Sequence, residues 1–191
     1  PLGRVHSAKQ DWDAAIAAYS EVLKLDPRAN AAQVELARLS LVKGKPDDAI
    51  QFAREALKAQ PGLAEATMIL ARAMLTKGDS RSAEPHVKQL AKEFPKSASA
   101  QTELGHLYFL KGDSKSARRA FEQALTIEPK NIEALSGLTA LELQLKNPAA
   151  ARARVEARLA ANENAPRRLL PSARLYTGPW DVPATARSLR N

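Results

Sequence analysis

Cysteine is absent from this chain of 191 residues. That excludes a disulfide framework and any thiolate metal site, and it leaves the compartment open. Aromatic residues make up only 5% of the sequence. A core with so few large rings closes by bringing backbones together over small side chains. Histidine occurs three times, at His6, His86 and His106, and no two stand at the i, i+4 spacing of a helical metal pair. Long apolar runs are missing as well. No stretch reaches the roughly 18 apolar residues that a membrane-crossing helix needs.

Catalytic motifs are missing too. There is no G-x-S-x-G, no H-E-x-x-H and no glycine-rich phosphate loop. Gly44-Lys45-Pro46 has no upstream glycine to complete such a loop. The paired carboxylates Asp47 and Asp48 sit at an expected helix start, where they favour the macrodipole. The sequence therefore reads as a non-enzyme with no cofactor.

What is present is a period. Pro27, Pro61, Pro95 and Pro129 are spaced by 34 residues. Gly44, Gly78 and Gly112 repeat at the same interval, and so do Ala15, Ala49, Ala83, Ala117 and Ala151. Within residues 98–131, Leu104, Gly105 and Tyr108 form one helical stripe, and Ala117, Phe121, Ala124 and Leu125 form a second. Gly112-Asp113 breaks the chain between them and Pro129 ends the unit, so each period is a helical hairpin. Helices are expected over 12–25, 30–43, 46–59, 64–77, 80–93, 98–111, 114–127, 132–145 and 148–161. Asp11 is the expected N-cap of the first of these, and Trp12, Ala15, Tyr19, Val22 and Leu23 its buried stripe. Pro46 falls in a first turn, where its missing N–H is harmless. Pro85 falls inside a helix, where a local distortion is expected.

A fixed 34-residue period of two helices, with the pattern Leu104-Gly105, Tyr108, Ala117, Phe121, Ala124 and Pro129, resembles the tetratricopeptide repeat family. The resemblance implies an all-α fold, a right-handed α-solenoid of antiparallel helix pairs, and a non-catalytic scaffold for protein partners. The divisions expected are a partial first repeat at 1–29, repeats at 30–63, 64–97, 98–131 and 132–165, and a divergent, truncated repeat at 166–191. The fifth repeat departs from the pattern, because Thr139 replaces a small residue and Glu142 replaces the aromatic. In the sixth, Pro171, Pro179 and Pro183 are foreign to the repeat. Neither end carries a polar capping helix, so the chain reads as a segment of a longer array whose ends self-associate. At the first end Trp12 and Tyr19 are expected to seek cover. At the other it is Leu138, Leu141 and Val155.

In the family, first helices line a concave groove. By register, the groove residues are Val34, Arg38, Leu41 and Val42; Met68, Arg72, Leu75 and Thr76; Thr102, His106, Phe109 and Leu110; and Ser136, Ala140, Leu143 and Gln144. Arg4, Arg38, Arg72 and His106 recur every 34 residues, and the register resumes at Arg174. This basic ladder, interleaved with Leu41, Leu75 and Phe109, suits an acidic peptide with apolar anchors. The plain alternative is that these arginines only solvate the helices or pair with Glu35 or Glu65. The ladder does not match the lysine and asparagine carboxylate clamp of chaperone-binding members, since Val34, Met68 and Thr102 stand at its lysine positions.

Net charge is +8, and residues 147–191 hold eight arginines against three acids. A rival reading follows from that quarter: binding of an acidic polysaccharide or nucleic acid. The alanine and arginine content and the run Ala173-Arg174-Leu175-Tyr176 also resemble large bacterial repeat proteins of the cell envelope, which implies a place in exopolysaccharide export. Nucleic acid is disfavoured, because no aromatics are interleaved with that charge.

Overall fold

A computed structural model describes residues 2–160 of the chain, with side chains described through 157. Among the described residues there are ten helices and no strand. They are α1 (Leu2–Ala8), α2 (Trp12–Leu25), α3 (Asn30–Val42), α4 (Pro46–Ala59), α5 (Ala64–Thr76), α6 (Ser80–Glu93), α7 (Ala98–Leu110), α8 (Ser114–Ile127), α9 (Ile132–Gln144) and α10 (Pro148–Ala160). The fold is all-α, built of antiparallel helix pairs of the α-solenoid class. Each of α2 to α10 begins and ends within one residue of its expected span. The expected sixth repeat, 166–191, lies outside the described residues.

The turns inside the pairs explain this regularity. The chain leaves each first helix through one residue with positive φ, at Gln10, Gly44, Gly78, Gly112 and Lys146. The residue after it then donates its N–H back into the last helical turn. These bonds run Asp11 to His6, Lys45 to Ser40, Asp79 to Met74, Asp113 to Tyr108 and Asn147 to Glu142, at 2.8–3.0 Å. This is the left-handed helix stop that glycine adopts without strain. The same next residue caps the second helix. The side chains of Asp11, Asp79, Asp113 and Asn147 accept the N–H groups of Ala14, Ser82, Ser116 and Ala150. Hydrogen bonds from Ser82, its N–H foremost, hold the Asp79 carboxyl below the usual aspartate range, and those from Ser116, its hydroxyl foremost, do the same for Asp113. Lys45 cannot cap in this way, and Pro46 opens α4 instead. The helix α6 runs through Pro85 without a break.

The chain divides into two compact units between His86 and Val87. In the first, α1 packs on α2, α2 on α3, α3 on α4 and α4 on α5, and α3 also meets α5. Its core joins Ala15 and Tyr19 to Ala32, Leu36 and Leu39, with Trp12, Ile16 and Leu23 packed against them. Tyr19 of the expected stripe is buried, and the cover it was expected to seek elsewhere comes from the start of α1, which closes over its ring. A Cβ on Gly3 would stand 2.7 Å from that ring. The open apolar positions at this edge are Leu2 (72% exposed), Val5 (51%) and Val22 (41%).

In the second unit α7 packs on α8, α8 on α9, α9 on α10, and α7 also meets α9. Phe121 is its centre, fully buried with Ala117, Ala124, Ala134, Leu138 and Leu141. Two glycines make room for the ring. A Cβ on Gly105 of α7 would lie 2.5 Å from it, and one on Gly137 of α9 would collide with it as well. Tyr108 packs on this cluster half-buried. Leu104, expected beside Phe121, is only half-buried, and Leu107 is the leucine of α7 that is fully enclosed. The alanines of the 34-residue series, Ala15, Ala49, Ala83, Ala117 and Ala151, are all 0% exposed. They let the paired helices approach closely, as an aromatic-poor core requires.

Candidate functional site

The first helices carry the expected groove residues, and each unit is described by itself. In the first unit Arg38 projects from α3 with about half its side chain exposed. It is not a free cation. Its Nε lies 3.5 Å from the Glu35 carboxylate, one turn back, and its Nη2 donates to Glu65 at the start of α5. The plain alternative therefore holds for Arg38: it ties α3 to α5. Leu41, Val42, Met68, Arg72 and Thr76 are half-buried. Val34 and Leu75 are not surface residues, being 4% and 2% exposed.

In the second unit two expected groove residues are interior. Thr102 is 0% exposed and donates its hydroxyl to Ala98 O at 2.8 Å. His106 is 8% exposed, with its ring edge-on to Phe121 at 5.2 Å. Its Nδ1 lies 3.6 Å from the buried Glu103 carboxylate. Phe109 packs half-buried on the Phe121 cluster, and Leu110, Ala140 and Leu143 are also half-buried. Ser136 is buried and Gln144 exposed. Arg174 lies outside the described residues.

The correction to Val34, Leu75, Thr102 and His106 has one physical cause. The helix α3 touches α2, α4 and α5, and α7 touches α8 and α9, so much of each first helix is covered. In each unit a row of partly exposed apolar residues remains. In the first unit that row is Leu41, Val42 and Met68 beside Arg38 and Arg72. In the second it is Phe109, Leu110, Ala140 and Leu143.

One polar cluster escapes the sequence pattern. Glu142 of α9 is 1% exposed, yet its carboxylate is held from two sides. Arg118 of α8 donates to both of its oxygens, one of these bonds measuring 3.3 Å. Arg154 of α10 lies 3.4 Å from Glu142 and 3.5 Å from Glu122. The hydrogen bond from Arg118 holds the Glu142 carboxyl below the usual glutamate range, and burial only partly opposes it. The signal was visible as a carboxylate at an aromatic position. Its two arginine partners are not at family positions and had no signal of their own. Arg154 also belongs to the arginine-rich quarter, so one of those cations is engaged internally. Arg158 is without a described side chain, and Arg167, Arg168, Arg187 and Arg190 lie outside the described residues.

Among the described residues no group of three His, Asp or Glu side chains could hold a metal ion. No helix among them is long and apolar enough to cross a membrane.

Tetratricopeptide repeat profiles match residues 1–64, 41–107 and 108–170. The chain belongs to the tetratricopeptide repeat family. The structure of this family member is similar to the crystal structure of MamA, at 26% identity over 86% of this chain and 96% of that one, with a TM-score of 0.65. It is similar also to TTC0263, a thermophilic member from Thermus thermophilus, at 26% identity over 91% and 93% of the two chains and a TM-score of 0.73. YrrB, a member with an unusual peptide-binding site, shares the fold at 18% identity over 88% and 85% of the chains, with a TM-score of 0.59. No curated protein matches the chain in sequence.

Proposed function

We propose that the protein is a non-catalytic scaffold that binds a peptide or a partner protein along its first helices. The observation that supports this reading is the open row in the first unit. Leu41, Val42 and Met68 stay partly exposed on two helices that pack together, beside Arg38 and Arg72. Apolar anchors next to long basic side chains suit a ligand that presents apolar residues and carboxylates. The Arg38 bridge to Glu35 and Glu65 narrows that choice. A ligand carboxylate reaches Arg38 only by displacing Glu65, so the apolar anchors supply most of the affinity and the charges supply orientation.

The test is a peptide-display selection against the whole chain, followed by titration of the selected peptides into variants. Leu41→Ser with Met68→Ser is expected to weaken binding at least tenfold, and Arg38→Gln with Arg72→Gln about threefold to tenfold. Melting temperatures of the variants are to be measured in parallel. Selected peptides whose affinity is unchanged in the serine pair would overturn this placement of the site.

A further inference from the structure

The interface among α8, α9 and α10 differs from its counterparts one repeat earlier. By register Glu142 stands where α7 has Tyr108 and α5 has Met74. Arg154 stands where α8 has Ala120, and Val155 where α8 has Phe121. The helix α8 buries Ala117, Ala120, Phe121 and Ala124. Among the described side chains of α10, 148–157, by contrast, Ala151 is buried and Ala150, Arg154 and Val155 are half-buried, while Arg152, Ala153, Glu156 and Ala157 are exposed. Over these residues α10 buries less apolar surface than α8 does. It brings a guanidinium instead, aimed at a carboxylate that Arg118 already grips from α8.

We propose that α10 is an ion-latched helix: its seat on α9 depends on Arg154 bridging Glu142 and Glu122, so that loss of the bridge frees α10 while α8 and α9 stay folded. The physical basis is an asymmetry of replacement. A helix held by apolar area loses its contacts gradually as single methyl groups are removed. A helix whose main polar tie is one guanidinium bridging two carboxylates loses that tie in one step. Arg118 is placed to limit that damage. It continues to satisfy Glu142 after Arg154 has left, so the α8–α9 contact survives an opening that α10 does not. Segments with few buried apolar contacts are the ones that open locally.

Amide hydrogen exchange on the full chain tests this, read separately over 114–127, 132–144 and 148–157. Arg154→Met removes the bridge and leaves the Arg118–Glu142 pair in place. It is expected to speed exchange over α10 on the order of tenfold, with α8 and α9 changed less than about twofold. Glu142→Gln is expected to speed α10 at least as much. Glu142→Met combined with Arg154→Leu rebuilds an apolar contact and is expected to restore α10 protection. Unchanged α10 exchange in Arg154→Met would overturn the latch. Equal acceleration of α8, α9 and α10 in that variant would also overturn it, because the cluster would then be part of one common core. Should Glu142→Gln fail to fold, Arg154→Met still decides between these outcomes.

Discussion

Alanine at Gly105 offers a direct measure of how tightly the second unit is packed. In an exposed helix, Gly→Ala stabilises by about 0.8–1.0 kcal/mol. Gly105 is inside α7, so that gain applies here too. Its new Cβ, however, would stand 2.5 Å from Cδ1 and Cε1 of Phe121. Ordinary contact begins about 1 Å farther out. The ring has little room to retreat, because Gly137 of α9 also lies close against its Cζ and Cε1, and Ala117, Leu138 and Leu141 share its buried cluster. The atoms in the way lie near the stem of the side chain, so a small χ rotation does not clear them. Overpacking of this kind costs about 1–3 kcal/mol, and the pinned ring places the cost near the upper end. The expected net effect is a destabilisation of roughly 2 kcal/mol. Phe121→Ala alone is expected to cost about 3–5 kcal/mol. In that background the clash is gone, so Gly105→Ala should stabilise by about 1 kcal/mol. The sign reversal is the diagnostic, read by urea denaturation of the four proteins as a double-mutant cycle. If Gly105→Ala stabilised the parent protein, the ring would not be wedged between two glycines and the packing argument would fail.

Two further outcomes are expected. Lys146 closes α9 at φ 57°, where the equivalent positions 44, 78 and 112 are glycine. A left-handed non-glycine residue is strained by about 1–2 kcal/mol, partly offset by the lower unfolded-state entropy of lysine, so Lys146→Gly should stabilise by roughly 0.5–1 kcal/mol in thermal denaturation, and a loss of stability would refute the strain. For Glu142 the folded carboxyl titrates below its unfolded value. Its contribution is therefore complete above the ordinary glutamate range near about pH 4.3 and is lost as pH falls through the lowered folded value. The difference in melting temperature between parent and Glu142→Gln should be widest at neutral pH and shrink on acidification, and a gap constant down to about pH 3 would show that the charge is not its source.

The fold was legible because three independent sequence signals share one cause. Prolines, glycines and alanines all recur every 34 residues since each occupies one geometric place in the hairpin. Where the residue type changes but the geometry persists, the signal weakens. Gln10 and Lys146 make the same left-handed stop as Gly44, and neither advertises it. Thr139 takes the register of Gly105, yet the glycine that α9 does place against the Phe121 ring is Gly137, two residues earlier on the same helix. Register alone does not show such a substitution, because it depends on which face of α9 meets the Phe121 ring.

The candidate site was less legible, and the reason lies in the helical wheel. Register identifies equivalent positions, and the ladder reading takes equivalence to mean equal exposure. Arg38 and His106 show that it does not. Both carry a carboxylate one turn back, Glu35 and Glu103, at 3.5 and 3.6 Å. The Arg38 and Glu35 side chains are 49% and 31% exposed, whereas those of His106 and Glu103 are 10% and 1% exposed. What differs is the neighbour. In the second unit Phe121 fills the space beside the pair and its ring edge meets the imidazole. At the register of Phe121, α4 carries Ala53. A large ring on the second helix thus draws the polar pair of the first helix inward. Exposure along such a row is set by the volume of residues on other helices, so a ladder of like charges has to be read together with the sizes of the residues packed behind it.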